Sequence, residues 1–299
     1  MLAFSGSNAI ITKKKGFIID VRGGKMKKTT EQLPDIPVMI LCGGKGTRLR
    51  DVTEVLPKPM VPIGEQPILW HIMKCYAAFG FKRFILCLGY KQEVFIDYFC
   101  NYHMRNADST IRLGREPEIT IHNDLEDNNW EVTLARPGIE SATGKRVALA
   151  SKYLKETDED FFLTYGDGLS DVNIAKLYRH HKKSGKSLTV TAVHAPARFG
   201  ELKIEDDIIS DFNEKIAASA GYINGGFMVV NRKFLSAYLK GEEARNDYFE
   251  NTAMHHAVRD GEIGVFCHEG YWQCMDTPRE YALLNELWSK KKAPWTRHW

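Results

Sequence analysis

Short unbroken apolar runs and longer stretches with apolar residues at helical spacing alternate along most of the chain. Val38 to Leu41 is a run of the first kind, of a length that suits a fully buried strand, and it empties into Gly43, Gly44 and Gly46. Ile68, Leu69, Ile72, Met73, Tyr76 and Phe79 then recur at helical spacing, and Gly80 supplies the C-terminal stop. Arg83 to Leu88 reads as a second buried strand. A helix from Gln92 to Tyr102 follows, with Val94, Ile96, Tyr98 and Phe99 on its apolar face. Strand, helix, strand, helix in this order predicts an α/β fold on a parallel sheet.

The pattern weakens over residues 104–142, where Ile119 to His122 and Trp130 to Ala135 are the strand candidates, and then resumes. A helix over Lys145 to Tyr153 leads into a strand from Asp160 to Tyr165 that ends in Gly166-Asp167-Gly168. Val172 to Lys183 reads as helix, Ser187 to His194 as strand, and Arg198 to Glu201 as a turn into short strands at Leu202 to Ile204 and Ile208 to Asn213. Tyr222 to Val230 is a strand pattern interrupted at Gly225-Gly226, which marks a bulge or close approach of a ligand to the backbone. A helix over Asp247 to Arg259, a strand over Ile263 to Cys267 and a helix from Pro278 to Lys290 close the chain. Residues 1–35 carry no sustained period. They are expected to form a loosely ordered arm, with a short strand over Gly16 to Val21 as the alternative, ahead of one domain over 36–299.

Composition narrows the class. With 43% apolar and 26% charged residues, and no apolar run of the roughly 18 residues a membrane span needs, the sequence reads as a soluble cytoplasmic protein. The net charge of +3 is unevenly placed: residues 1–30 hold seven Lys/Arg against Asp20 alone, which leaves −3 for the remainder. The body therefore carries no electrostatic footprint for nucleic acid. The six cysteines never form Cys-x-x-Cys and fall mostly inside apolar patterns, so buried reduced thiols are expected. No histidine pair has metal-ligand spacing.

Candidate chemistry gathers where strands end. Gly43, Gly44 and Gly46 let backbone N–H groups approach anionic oxygens, and Arg48 and Lys58 add mobile positive charge beside them. This is neither a Walker A loop, whose Gly-x-x-x-x-Gly-Lys spacing is missing, nor the dinucleotide fingerprint, since Gly44-Lys45-Gly46-Thr47-Arg48-Leu49 ends in leucine. Asp167, flanked by glycines at the carboxyl end of a buried strand, sits where open α/β sheets bind ligands, although Gly-Asp-Gly also serves as a plain turn.

Gly43 to Leu49, Pro57 to Met60, Gly166-Asp167-Gly168, Glu214-Lys215, Asn224 to Phe227 and Met275-Asp276-Thr277 occur in the order and approximate spacing of the sugar-1-phosphate nucleotidyltransferases, which the chain resembles over residues 37–297. Ile68 to Met73, Thr164 to Gly168, Arg198-Phe199-Gly200, Gly270 to Gln273 and Lys292 to Trp295 resemble the branch of that family that uses CTP and glucose 1-phosphate. The resemblance implies a Rossmann-like α/β fold of the nucleotide-diphospho-sugar transferase type, a mixed, mostly parallel sheet flanked by helices. It implies transfer of CMP from CTP to glucose 1-phosphate with Mg²⁺, and a homo-oligomer. Carried over by motif, the nucleotide would meet Leu41, Gly43, Gly44, Gly46, Thr47, Arg48, Lys58, Ser141, Thr143, Gly144, Arg146 and Gly166. The metal would meet Asp167 and Asp276, and the sugar phosphate Gly200, Glu214, Lys215, Asn224 and Gly226. Arg48, Lys58, Asp167 and Lys215 would carry the chemistry. Attack by a phosphate-monoester oxygen on an α-phosphorus needs no base, but it brings two anions together, so positive charge is the main requirement.

Three departures fall mainly on the acceptor side. Glu214-Lys215-Ile216 stands for the family's Glu-Lys-Pro, Phe249 to Met254 replaces a stretch with a further acidic residue and Pro-Leu, and Arg136-Pro137-Gly138 replaces Asp-Thr-Gly. Lys145 also stands where the family usually has glycine. A different sugar phosphate or a phosphorylated non-sugar is the alternative acceptor, and a non-catalytic sensing subunit of the same fold is the alternative class.

Overall fold

The computed structural model describes residues 13–14, 17–19, 26–28, 33–44, 55–115, 118–123, 129–195, 201–205, 208–213, 221–240, 242 and 246–299. Contacts divide the chain into residues 1–34 and 35–299. In the first unit Lys13–Lys14, Phe17–Ile19 and Met26–Lys28 form a three-stranded antiparallel sheet in chain order, where the sequence suggested a loosely ordered arm or, as the alternative, one short strand over Gly16 to Val21.

The second unit is built on seven strands: β1 Val38–Leu41, β2 Arg83–Cys87, β3 Glu131–Ala135, β4 Asp160–Tyr165, β5 Leu188–Val193, β6 Ile223–Asn231 and β7 Ile263–His268. Their order is β3-β2-β1-β4-β6-β5-β7. β6 runs antiparallel to both its neighbours and every other pairing is parallel, which is a mixed, mostly parallel sheet. β1, β2 and β5 are buried along their whole length; β1 and the Phe84 to Cys87 part of β2 read in sequence as unbroken apolar runs, whereas β5 alternates apolar residues with the buried Thr189 and Thr191.

Helices cover both faces. Val147 and Ala150 of α4 (Thr143–Ala150), Phe234 of α6 (Arg232–Tyr238) and Ala257 of α7 (Met254–Arg259) share one core with Met39, Leu41, Ile85, Phe161 and Leu163. On the other face Tyr76 of α1 (Ile68–Ala77) and Tyr178 of α5 (Ile174–Ser184) pack on Phe162, with ring centroids 5.2 and 6.1 Å apart. α2 (Gln92–Cys100) and α3 (Tyr102–Asn106) follow β2, and α8 (Pro278–Ser289) closes the chain behind a capping box of Thr277 and Glu280.

Several expectations are corrected. α2 buries Phe95 and Tyr98, one turn apart, while Val94, Ile96 and Phe99 are only half-buried. The strand near Ile119 is half of an exposed hairpin, Ser109–Arg112 with Glu118–Ile121. α6 was not anticipated; Asn231 caps it by accepting from the Lys233 N–H at 3.0 Å. β6 is continuous through Gly225-Gly226 and not interrupted there, but the expected bulge is present: Val190 pairs with Met228 and Ala192 with Asn224, so residues 225–227 of β6 oppose one residue of β5. Cys42, Cys75 and Cys87 are buried, but Cys100 and Cys267 are exposed and Cys274 half-buried, all as free thiols. Among the described residues no helix is long and apolar enough to cross a membrane.

His71 of α1 is buried against Trp288, Trp295 and Trp299, with ring centroids 4.6, 6.0 and 5.8 Å away. Its Nε2–H donates to the Ile63 carbonyl at 2.9 Å and its Nδ1 accepts from the Trp295 indole at 3.3 Å, so a second proton displaces a hydrogen bond. Burial lowers its pKa from 6.5 to about 4, against the opposing pull of the Ile63 carbonyl. The unfolded chain takes up this proton first as pH falls. The contribution of His71 to stability is expected to be full above about pH 6.5 and to be lost towards pH 4, by about 3 kcal/mol. Proton NMR of the His71 ring should show titration near 4; titration near 6.5 would remove this acid sensitivity.

Candidate active site

β1 and β4 lie side by side at the point where strand order reverses, and their carboxyl ends open into a cleft of about 460 Å³. The Gly166 N–H donates to the Leu41 carbonyl at 3.1 Å, which ties the two ends together. A Cβ on Gly166 would lie 2.9 Å from Pro59 Cγ and 3.0 Å from the Leu41 carbonyl oxygen, so glycine is what lets the Lys58–Met60 turn close over this point.

That turn is a single 3₁₀ turn with Pro57 before it and Pro59 within it, both restricting φ. It aims Lys58 at two carboxylates: the ammonium donates to Asp167 Oδ2 at 2.6 Å and to Asp276 Oδ1. Burial alone would lower the pKa of Lys58, but the charges and hydrogen bonds of Asp167 and Asp276 outweigh it and hold the ammonium above its ordinary value. The carboxylates are set by backbone. Gly168–Ser170 pairs antiparallel with Trp272–Cys274, and the Met275 N–H donates to the Asp167 carbonyl at 2.9 Å. Glu280 of α8 accepts from the Asp276 and Thr277 N–H groups at 2.7 and 2.9 Å, fixing the residue that carries the second carboxylate. The Trp272 indole donates to the Gly225 carbonyl at 2.8 Å, joining this ribbon to β6.

Two carboxylates converging on one cation fit the needs of Mg²⁺, which is bound through one or two carboxylates plus substrate phosphates and water. Among the described residues no group of three or more His, Cys, Asp or Glu side chains offers a closed protein cage.

The opposite wall rests on Arg146. Its side chain is buried beneath Gly43, where Nη1 donates to the Leu88 carbonyl at 2.6 Å and Nη2 to the Gly43 and Ile139 carbonyls at 3.3 and 2.9 Å. Burial draws its pKa below the usual arginine value. A Cβ on Gly43 would fall 1.8 Å from Nη1, so glycine lets the chain pass directly over the guanidinium.

Leu41, Gly43, Gly44, Lys58, Ser141, Thr143, Arg146, Gly166 and Asp167 thus line one cleft, from four separate stretches of sequence. Ser141 donates to the Pro137 carbonyl at 2.6 Å, and the Gly144 N–H donates to the Asp247 carbonyl at 3.1 Å, outside the lining. Asp276 joins through Lys58. Asn224 and Gly226 lie on β6 behind Tyr165: the Asn224 amide reaches the Tyr165 hydroxyl at 3.5 Å, and a Cβ on Gly226, whose φ is +79°, would sit 2.4 Å from the Tyr165 ring. Gly46, Thr47, Arg48, Gly200, Glu214 and Lys215 lie outside the described residues.

Two cleft neighbours were missed in the sequence. Tyr165 donates to Glu250, and so does Thr143, at 3.0 Å. The signal for Tyr165 was its place before Gly166-Asp167, whereas nothing local marks Glu250.

Residues 37–287 match the nucleotidyl transferase family, and the chain belongs to that family. It is 42% identical over 257 residues to the glucose-1-phosphate cytidylyltransferase of Salmonella typhi, covering 86% of this chain and 97% of that one. Identity to the probable glucose-1-phosphate cytidylyltransferase of Bacillus subtilis is 38% over the same length, covering 86% and 98%. The solved structure of HddC from Yersinia pseudotuberculosis shares the fold, with a TM-score of 0.59 and 25% identity over 85% of this chain and 99% of that one.

Proposed function

We propose that this enzyme transfers CMP from CTP to glucose 1-phosphate, releasing pyrophosphate and CDP-glucose. The observation that carries the substrate assignment is the 42% identity, over nearly the whole length of the relative, to a glucose-1-phosphate cytidylyltransferase. The cleft is consistent with it. A phosphate oxygen of the sugar phosphate forms a bond to the α-phosphorus of CTP while the bond from that phosphorus to the β-phosphate oxygen breaks, and pyrophosphate leaves.

The chain's part is to hold two anions in line. Gly43 and Gly44 let the nucleotide phosphates approach the backbone, on a loop that Arg146 supports from beneath. Lys58 places a cation beside them, and motif resemblance adds Arg48. Mg²⁺ held by Asp167 and Asp276 would supply further neutralisation of the phosphate oxygens. Asn224 and Gly226 belong to the acceptor side, and motif resemblance adds Gly200, Glu214 and Lys215, the last to offset the charge of the attacking phosphate. The enzyme works in the cytoplasm as a homo-oligomer, by analogy with the family resemblance.

Pyrophosphate release measured with each nucleoside triphosphate against a panel of phosphorylated acceptors tests the assignment. CTP with glucose 1-phosphate is expected to give the highest kcat/KM. A higher value with another nucleotide or another acceptor would reassign that half of the site.

A further inference from the structure

Glu250 stands between the two walls of the cleft and accepts a hydroxyl hydrogen from each. Oε2 takes the Thr143 hydroxyl at 3.0 Å, and Oε1 takes the Tyr165 phenol. Both donors line the cleft. Thr143 Oγ1 is itself fixed by the Phe249 N–H at 2.7 Å, the residue before Glu250. Behind the phenol, the Asn224 amide donates to Tyr165 at 3.5 Å, and Asn224 Oδ1 accepts from the Gly226 N–H at 2.9 Å. The Tyr165 ring also occupies the space a Cβ on Gly226 would need. A chain of hydrogen bonds therefore runs from the start of α4 through one carboxylate to the β6 bulge.

An ionised carboxylate is the side chain suited to this place, because it can accept both hydroxyl hydrogens at once. An amide of the same shape can accept one and must donate towards the other, which turns one hydroxyl away from its present direction. The loss falls on the orientation of groups that flank the substrates, while the packing stays the same size.

We propose that Glu250 is a positioning residue that sets the two walls against each other, holding Thr143 for the nucleotide and Tyr165, with Asn224 and Gly226 behind it, for the sugar phosphate. This rests on the reaction assigned above, and it adds a residue to which that assignment gives no role. Thr143 and Tyr165 each serve one substrate, and Glu250 serves both.

Steady-state kinetics in both substrates, with melting temperatures, test this on wild type, Thr143→Val, Tyr165→Phe, Glu250→Gln and the Glu250→Gln/Tyr165→Phe pair. Thr143→Val is expected to raise the KM for CTP about fivefold and leave the acceptor KM within about twofold, and Tyr165→Phe to do the reverse. Glu250→Gln should raise both about fivefold or more, and adding Tyr165→Phe should not raise the acceptor KM further, since both changes break one link. A Glu250→Gln enzyme with both KM values unchanged, or only one raised, overturns the proposal whatever its melting temperature. Should Glu250→Gln fail to fold, the single variants decide: either one changing both KM values or neither overturns it. A wild type that makes no CDP-glucose overturns the reaction assignment and this proposal with it, whereas an active wild type with an indifferent Glu250→Gln overturns the proposal alone.

Discussion

Asp167→Asn is expected to lower kcat/KM for CTP by about a hundredfold or more while the protein stays folded. Asparagine keeps the shape of the side chain but removes its charge, and the charge is what both Lys58 and a divalent cation need. Lys58 lies between Asp167 and Asp276, so the pair already holds a cation. Without Asp167 the ammonium keeps Asp276, and the fold loses little, because this part of the site is partly open to water. A divalent cation held by this pair, as proposed, would lose one of its two carboxylates. Calorimetric titration of Mg²⁺ with CTP should show the weakening directly, independent of turnover. Unchanged Mg²⁺–CTP affinity and normal turnover in Asp167→Asn would remove Asp167 from the metal site.

Arg146→Met is expected to cost about 4 kcal/mol of stability and at least about tenfold in CTP affinity. The guanidinium donates to three carbonyls, from Leu88 after β2, Gly43 after β1 and Ile139 before α4. Methionine fills much of the volume but donates nothing, so three acceptors in a buried space lose their partner together. The Gly43 segment rests on that guanidinium, and its N–H groups lose their alignment when the support goes. Lysine would not restore it, since one ammonium cannot reach carbonyls that a planar fork spans. Urea unfolding and CTP calorimetry on the same variant check both parts. A variant as stable as wild type that binds CTP normally would show that the loop needs no support from below.

The strands that build the site were legible because each holds a short apolar run at its buried centre, Val38 to Leu41 in one and Phe161 to Leu163 in the other. Val38 to Leu41 and Asp160 to Tyr165 appear in the fold with the limits that the residue pattern set. Asp167 was legible for the same reason, standing at the end of such a run between glycines. What escaped depends on contacts that no periodicity encodes. Glu250 meets Thr143 across 107 positions of sequence, in a stretch that reads only as a departure from a family pattern. Arg146 stood out as a charge near the nucleotide, but a charge in a motif does not say whether it faces a ligand or three carbonyls. The 109–112 strand escaped because Ser-Thr-Ile-Arg in an exposed hairpin buries no face. α6 escaped because it begins directly after β6, whose last residue, Asn231, is also the helix cap.

Following the phosphorus atoms tests the central claim most directly. Wild-type enzyme with Mg²⁺, glucose 1-phosphate and CTP labelled at the α-phosphorus should place the label in CDP-glucose and release the other two phosphates as unlabelled pyrophosphate, in equal amounts. Label in free CMP or CDP, or no transfer to the sugar phosphate, would contradict the account.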